Sequence, residues 1–255
     1  MPFAKVQPEK LSGAVVRQIE LLILRGILRP GERLPSERDL ANKLGVSRPS
    51  LREAVAELQA RGLIAARANA GIFVSETLNA AFPEALTRLF ANHPEAVFDY
   101  IAFRRDMEGL AAERAARHGT DTDLRLIDTL LTKMETAHTK RDPALEAQLD
   151  ADFHLAIVEA SHNVVMLHMM RSMYALLRQG VFYNRQMMFK QRTTRTTLLE
   201  QHRAINAALQ ARDPGSARAA VEAHLGFVET TLADQQQTAR NEAIARQRLD
   251  HEHGR

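Results

Sequence analysis

The sequence predicts a mainly α-helical protein in two parts, an N-terminal winged helix-turn-helix with a small β-hairpin wing and a C-terminal all-α bundle. Three observations lead to this fold class. Two capped helices separated by a glycine turn occupy residues 36–60. Two short apolar runs then flank a turn near residue 70. The remainder is rich in Leu and Ala and lacks the alternation of apolar and polar residues typical of strands.

The helix-turn-helix begins at Ser36, which has an acidic residue three positions on, the spacing of a capping box. Gly45 allows the sharp turn, and Ser47 is placed to cap the second helix. This second helix carries Arg48 and Arg52 four residues apart, away from its apolar stripe. Recognition helices read base edges through their N-terminal residues, and arginine commonly reads guanine, so the pattern indicates DNA binding.

A hairpin is predicted directly after the second helix. Its turn contains Asn69 and Gly71, which tolerate positive φ, and Arg67 lies at the end of its first strand, where a wing would face DNA. The helical segment taken alone also fits a solvated hairpin of helices with two surface arginines. The β-hairpin favours the winged helix, and with it a DNA-binding protein.

Composition and charge agree with an intracellular protein of two domains. The chain has 255 residues, no cysteine and no apolar run long enough to span a membrane, so we expect neither a thiolate site nor a membrane partner. Its first residues do not form a secretory signal, so we expect a cytoplasmic protein. Residues 1–78 contain 12 Lys and Arg against 8 Asp and Glu, which places the basic surplus in the part that would meet DNA phosphates.

Helix boundaries after residue 82 are predicted mainly from Asp-Pro pairs at 142–143 and 213–214, since Pro favours the first position of a helix. The predicted helices span 83–92, 95–118, 122–140, 143–161, 164–189, 193–211 and 214–245. The predicted organisation is a DNA-binding domain at 1–75, a linker at 76–82, an all-helical effector-binding and dimerisation domain at 83–235, and a polar tail at 236–255, expected to be a fraying helix followed by a disordered end.

One carboxylate and three histidines fall on apolar faces of three predicted helices. Asp150 and His154 are four residues apart, so they lie on one helix face, while His202 and His224 fall within the apolar seams of two later helices. Each histidine alone fits a hydrogen-bonded core residue. Together, the four also fit a divalent-metal site, because a cation compensates several buried polar groups at once. Spacing leaves both interpretations open.

The N-terminal motifs resemble a known family. Pro-Gly-Glu at 30–32, Leu-Pro-Ser-Glu-Arg at 34–38 and Val-Ser-Arg-Pro-Ser-Leu-Arg-Glu-Ala at 46–54 resemble the DNA-binding domain of GntR-superfamily regulators, in the FadR-type branch. The resemblance implies that three arginines contact the operator and three serines approach phosphates; these are Arg38, Arg48, Arg52, Ser36, Ser47 and Ser50. Wing contacts at Arg67, Asn69 and Gly71 are also expected, although relatives often have a wing tip richer in glycine.

The C-terminal motifs at 149–163, 201–205 and 223–225 resemble those of the FCD effector domain of the same branch. In metal-binding members, the residues matching Asp150, His154, His202 and His224 ligate the ion, which implies a divalent metal here, with zinc or nickel favoured. The segment 103–108 resembles an Arg-x-x-x-Glu pattern whose arginine faces the effector cavity. Arg104 is therefore a candidate effector-binding residue, or else one half of an ordinary surface pair with the glutamate four residues on.

The resulting hypothesis is a metabolite-responsive transcription regulator, a repressor rather than an enzyme. It would bind a palindromic operator in double-stranded DNA as a homodimer and leave it when a small carboxylate binds at the metal. Finer similarities point to 2-hydroxy or 2-oxo acids such as lactate, glycolate or pyruvate. Two alternatives are a metal-dependent hydrolase with Glu200 or Glu222 as general base, and a DNA-binding protein without an effector.

Overall fold

A computed structural model describes residues 10–67, 70–79, 82–93, 95–178, 188 and 192–253. The part before residue 80 consists of helices, a two-stranded sheet and a short 3₁₀ turn. In chain order these elements are α1 (Leu11–Leu24), α2 (Glu37–Leu44), α3 (Arg48–Ala60), β1 (Ile64–Arg67), β2 (Gly71–Val74) and the 3₁₀ turn (Glu76–Asn79).

The turn between α2 and α3 forms as its residues predict. Ser36 caps α2 by accepting a hydrogen bond from the backbone amide of Asp39, and Ser47 caps α3 by accepting one from that of Ser50. Gly45 ends α2 with a φ of 65°, a left-handed conformation that costs glycine little. The two helices are thereby held in the predicted helix-turn-helix.

The wing is an antiparallel pair of strands in which Ile64 lies opposite Val74 and Arg67 opposite Gly71. Segment 31–34 runs along the other edge of β2, and three backbone hydrogen bonds of 2.8 to 3.0 Å join the two. Ile64 and Val74, which pair at one end of the hairpin, are buried in the core, whereas the rest of β1 is exposed, so this end of the sheet closes the core of the winged helix.

The core of this N-terminal unit comes from one face of each element, with α1 and α2 packed on α3 and α3 packed on β1. Apolar side chains from every element fill it: Val15, Val16, Ile19, Ile23, Leu34, Leu40, Ala41, Leu51, Ala54, Val55, Leu58, Ile64 and Val74. Because these residues occupy the inner face of α3, its opposite face is left to polar side chains.

After residue 82 the described chain is helical, in agreement with the predicted bundle. The helices are α4 (Glu84–Asn92), α5 (Glu95–His118), α6 (Asp121–Lys140), α7 (Pro143–Ala160), α8 (Val164–Arg178), α9 (Arg192–Gln210) and α10 (Pro214–His253). Proline stands first in α7 and α10, as predicted. Helix α10 packs against α5 and α9, and α6 packs against α7 and α9. This packing places α7, α9 and α10 around one interior.

The C-terminal segment differs from the expected tail. Helix α10 has 40 residues and continues to His253, whereas the sequence predicted its end near residue 245, within a polar tail expected to fray and become disordered. Residues 236–253 are exposed throughout, so their polar character is as expected. The helix continues because no Gly or Pro occurs between Gly226 and Gly254, and Ala, Gln, Glu and Arg have high helix propensity.

Clustering of backbone contacts divides the chain into two compact units. One comprises Met1–Pro83 with Leu167–Ser172, and the other comprises Glu84–Met166 with Met173–Arg255. The main boundary therefore follows Pro83, next to the predicted linker at 76–82, of which residues 80–81 lie outside the described part.

Candidate metal centre and nucleic-acid interface

The start of α3 presents to solvent an arginine that has no ion pair among the residues the structure describes. Arg48 is the first residue of α3 and is exposed, and Arg52 is exposed one turn further on. Arg52 donates from Nε to Glu37 Oε2 over 2.9 Å, while Arg38 lies 3.8 Å from the carboxylate of Asp39. Exposed pairs of this kind contribute little to stability, so these arginines can exchange their partners for phosphate or base acceptors.

The predicted serines have a local structural role in this fold. Ser36 and Ser47 are the caps of α2 and α3, and the hydroxyls of Ser47 and Ser50 lie 2.9 Å apart. All three lie at or beside helix N-termini, where backbone amides and the helix dipole favour an anion such as a DNA phosphate. Their predicted approach to phosphates stays a prediction.

On the wing, Arg67 is held by two neighbours. Its Nη2 donates to Glu76 Oε1 over 2.8 Å, and its guanidinium lies 4.4 Å from the centre of the Phe73 ring. Gly71 is the first residue of β2 and has a φ of 104°, a backbone conformation that residues other than glycine rarely adopt. Asn69, the other predicted wing residue, lies outside the described residues.

Arg33 is a basic wing residue that the sequence reasoning missed. Its neighbour Leu34 is buried, whereas Arg33 is exposed on the outer face of the sheet, opposite Phe73. A Cβ atom on Gly71 would lie 3.2 Å from Arg33 Nε, so the guanidinium lies directly beside the start of β2. In the sequence, Arg33 is only an arginine before the Leu-Pro-Ser-Glu motif. No local pattern predicts that it lies beside the wing, which follows about 40 residues later in the chain.

The four predicted metal ligands converge inside the C-terminal unit. Asp150 and His154 come from α7, His202 from α9 and His224 from α10, and none is more than 3% exposed. One nitrogen or oxygen atom from each lies within 4.8 Å of those of the other three. Three helices therefore bring the four predicted ligands together. The spacing of these residues in the sequence fitted both a metal site and separate core positions.

The donor atoms are spaced as ligands of one ion would be. His154 Nε2 lies 3.2 Å from His224 Nε2 and 3.3 Å from His202 Nε2, and Asp150 Oδ1 lies 3.0 Å from His202 Nε2. Nitrogen atoms about 2.0–2.1 Å from a tetrahedral zinc ion would lie about 3.3 Å from one another. The side chains present thus fit a first-row divalent ion with three imidazoles and one carboxylate.

Hydrogen bonds on the outer side of two rings fix their tautomers. His202 donates from Nδ1 to the carbonyl oxygen of Leu198 over 2.6 Å, because a carbonyl can only accept. His224 Nδ1 lies 3.0 Å from the side-chain oxygen of Gln201, which likewise accepts. In the neutral rings, both Nε2 atoms therefore carry a lone pair directed into the cluster.

Glu108 plays the corresponding part for the third ring. Its Oε2 lies 2.7 Å from His154 Nδ1, and its Oε1 accepts hydrogen bonds of 2.7 Å from both Arg104 Nε and Tyr174 Oη. Burial alone would raise the pKa of Glu108, but the Arg104 guanidinium and His154 outweigh it and hold that pKa well below its usual range. An ionised carboxylate thus orients His154 so that its Nε2 also faces the cluster.

Arg104 lies deeper than the sequence suggested. It forms the predicted i,i+4 pair with Glu108, but the pair is 1% exposed and lies in the core, where the alternative interpretation expected a surface pair. Its Nη2 also lies 3.3 Å from the Tyr174 hydroxyl oxygen. Burial raises the pKa of Tyr174 well above its ordinary value, so this hydroxyl stays protonated and donates to Glu108. Direct contact of Arg104 with an effector stays a prediction.

The two general bases considered for a hydrolase do not point to catalysis. Glu200 is exposed on α9. Glu222 accepts a hydrogen bond of 2.7 Å from Arg218 Nε one turn earlier on α10, where it forms an i,i+4 ion pair. An exposed carboxylate and one paired at the helix surface lack the burial that tunes a general base.

Together the exposed arginines of the winged helix and the buried donor cluster define a two-part protein, a DNA-binding regulator with an internal polar site. Comparison with known families agrees. Residues 11–74 match the gntR family of bacterial regulatory proteins, and residues 99–227 match the FCD domain. The chain therefore belongs to the GntR family of regulators, in the FadR-type branch that carries an FCD domain, and is a transcription regulator rather than an enzyme.

Relatives over most of the chain are named as regulators. A regulatory protein of the L-lactate dehydrogenase operon of Escherichia coli (strain K12) is 38% identical over 98% of both chains. The Glc operon transcriptional activator of the same organism is 34% identical over 86% of this chain and 88% of its own. A solved structure, Streptococcus agalactiae GntR, is 26% identical with a TM-score of 0.52 and covers 86% of this chain and 99% of its own.

None of the helices in the part of the chain that the structure describes combines the length and apolarity that crossing a bilayer requires.

Proposed function

We propose that this regulator senses a small carboxylate at a divalent metal ion held by Asp150, His154, His202 and His224. The observation that carries the proposal is the convergence of electron-pair donors. Three imidazole Nε2 atoms and one carboxylate oxygen face one another in a buried interior, and the oxygen atoms beside the opposite ring nitrogens favour protons on those nitrogens. Such a group of acceptors repels itself unless a cation lies among them.

The ion would serve as the binding site for the effector. Four protein ligands leave one or two positions on a five- or six-coordinate ion, with zinc or nickel favoured by the imidazoles. A 2-hydroxy acid can fill two positions through its carboxylate and hydroxyl oxygens in a five-membered chelate ring, and a 2-oxo acid can do the same. The name of the relative that regulates an L-lactate dehydrogenase operon supports this chemical class.

On the DNA side, we propose that a homodimer binds a palindromic operator, since one recognition helix reads only a few base pairs. Arg48 would read a base, and Arg38, Arg52 and the wing would contact neighbouring groups. An effector can release DNA only by binding more tightly to the form of the dimer whose winged helices do not match adjacent major grooves. The protein would then act as a repressor relieved by the carboxylate.

The test replaces His202 with alanine, which removes one ligand without touching the winged helix. We expect His202→Ala to lose bound metal, to melt at a lower temperature in the presence of zinc, and to bind operator DNA with nearly wild-type affinity that lactate no longer lowers. A ligand at a hundredfold excess over its Kd stabilises a fold by about 2.7 kcal/mol, so the change in melting is measurable.

His118→Ala is the matched control, because His118 is an exposed histidine of the same unit. Metal content by elemental analysis, melting curves, and operator titrations with lactate, glycolate or pyruvate compare the two variants. If His202→Ala retains a full equivalent of metal and a normal effector response, the histidines are ordinary core residues and the proposal fails.

A further inference from the structure

A second buried charged group lies beside the donor cluster and takes no part in it. Arg195 on α9 and Glu146 on α7 are 8% and 4% exposed. Arg195 donates from Nε to both carboxylate oxygens of Glu146 over 3.0 Å, and from Nη2 to Oε1 over 2.6 Å. We propose that this Glu146–Arg195 pair positions α7 and α9 so that their metal ligands meet at one ion.

The spacing along the two helices supports this role. Glu146 lies one turn before Asp150 and two turns before His154 on α7, and Arg195 lies about two turns before His202 on α9. Residues four or seven apart lie on nearly the same helix face. The pair therefore joins the same faces of the same two helices that Asp150 and His202 join at 3.0 Å.

Arg195 also fixes a third helix. Its Nη2 donates to the carbonyl oxygen of His138 over 2.7 Å, in the last turn of α6. Carbonyl groups at a helix C-terminus lack partners within the helix and carry partial negative charge, which favours a cation. One guanidinium thus holds the end of α6, the carboxylate of α7 and its own helix α9 in one arrangement.

The space around the pair argues for positioning and against ligand binding. A cavity of about 10 Å³ is lined by the pair and by Met134, His138, Leu199 and His202. That volume holds about one water molecule, so this cavity is too small for a carboxylate effector. The shared cavity nevertheless makes the pair an immediate neighbour of the ligand His202.

A buried ion pair adds little to the free energy of unfolding, but it fixes the relative positions of the two side chains that form it. Desolvation of the two charges offsets much of their attraction, and apolar side chains of similar volume often stabilise a fold equally well. What apolar replacements lose is the fixed bidentate geometry between α7 and α9. The inference rests on the proposed metal site and predicts that metal affinity, rather than folding, depends on the pair.

The experiment compares zinc affinity with the stability of the metal-free protein. Glu146→Gln removes the countercharge, and the double variant Glu146→Met with Arg195→Met keeps the interior filled. Zinc affinity is measured by competition with a chromophoric chelator, and folding by circular dichroism and melting of the full-length chain after metal removal. We expect the double variant to melt near the wild type without metal and to bind zinc about tenfold more weakly.

The control is Glu135→Gln, which breaks the solvent-exposed pair of Glu135 on α6 with Arg203 on α9, joined at 2.8 Å. It should leave zinc affinity unchanged. A double variant with wild-type zinc affinity overturns the inference, and so does one that does not fold, since the pair would then serve the fold itself. If the wild type binds no zinc, or His202→Ala binds it equally well, the proposed metal site fails, and the pair has no ligands to position.

Discussion

Arginine side chains are used in opposite ways on the recognition helix and beside the buried donor cluster. Arg48 and Arg52 are exposed on the recognition helix, and the pair of Arg52 with Glu37 is open to water, with side chains 62% and 34% exposed. In the C-terminal unit, the Arg104–Glu108 pair has side chains 1% and 2% exposed. The same Arg–Glu chemistry is therefore exchangeable on the recognition helix and fixed beside the donor cluster.

The difference follows from the dielectric surroundings of the two pairs. In water an ion pair contributes from about zero to 1 kcal/mol, so an arginine can leave its carboxylate for a phosphate at little cost. In the interior, the loss of one partner leaves an uncompensated charge, and the remaining partner cannot turn to solvent. Exposed pairs suit reversible DNA contacts, whereas buried pairs suit a donor cluster that must keep one geometry.

The largest effect should come from Glu108→Gln, which leaves Arg104 buried without its countercharge. We expect unfolding free energy to fall by about 3–5 kcal/mol and zinc affinity to fall by about 10- to 100-fold, because His154 also loses its orienting carboxylate. Denaturant titration without metal and chelator competition measure the two effects separately.

Glu242→Gln is the control for this comparison. Glu242 pairs with Arg246 at 2.9 Å and at the same i,i+4 spacing, but both side chains are more than half exposed. The control should change stability by less than about 0.5 kcal/mol. Equal losses in the two variants would contradict the distinction between fixed and exchangeable pairs.

Arg48→Ala should weaken operator binding by about 1–3 kcal/mol, concentrated at one base-pair position in each half-site. The operator is first selected from random DNA, and affinities are then measured for symmetrical substitutions at each position. Wild-type protein should discriminate at that position and the variant should not. Wild-type affinity of Arg48→Ala for the palindrome would show that the recognition helix is placed incorrectly.

Arg33→Gln should have a smaller and more uniform effect, because Arg33 faces outward on the wing and would contact phosphate rather than bases. We expect affinity to fall alike for all sequences and the slope of log Kd against log salt to fall by about one unit. Arg67→Gln should give a similar fall, since the exposed Arg67–Glu76 pair at 2.8 Å can exchange its carboxylate for phosphate. An unchanged salt slope in Arg33→Gln would exclude the phosphate contact.

A feature of the fold or of the site can be predicted from the sequence when neighbouring residues determine it, and not when it depends on contacts between distant residues. Pro143 and Pro214 mark helix starts within their own neighbourhoods, and the helix boundaries around them are correct. His202 on α9 was placed inside the bundle because an apolar seam surrounds it, and it is buried there, while its role as a metal ligand stays a prediction. The Glu146–Arg195 contact joins residues 49 positions apart, and neither residue carries a local mark that distinguishes it from a surface charge.

The start of α6 is a further case: the predicted helix begins at residue 122, whereas α6 begins at Asp121 with Thr120 as its N-cap. Thr120 and Asp123 form a full capping box in which the Thr120 amide donates to Asp123 Oδ2 over 2.8 Å and the Asp123 amide donates to Thr120 Oγ1 over 3.2 Å. Thr120→Ala should therefore cost about 1 kcal/mol at neutral pH, or about 2–4 °C in Tm. Thr136→Ala, an exposed position within the same helix, should cost nothing measurable.

This smallest effect also has a defined pH dependence. Burial tends to raise the pKa of Asp123, but hydrogen bonds from Thr120 and the neighbouring His162 outweigh it and lower that pKa below 3.8. A carboxyl group whose pKa is lower in the folded than in the unfolded protein stabilises the fold at pH values above its unfolded-state pKa. This stabilisation is lost as the pH falls through its folded-state pKa. The Tm difference between Thr120→Ala and wild type should thus be full at pH 7 and shrink below about pH 4. A difference that stays constant down to pH 3 would mean that the threonine acts without the Asp123 carboxylate.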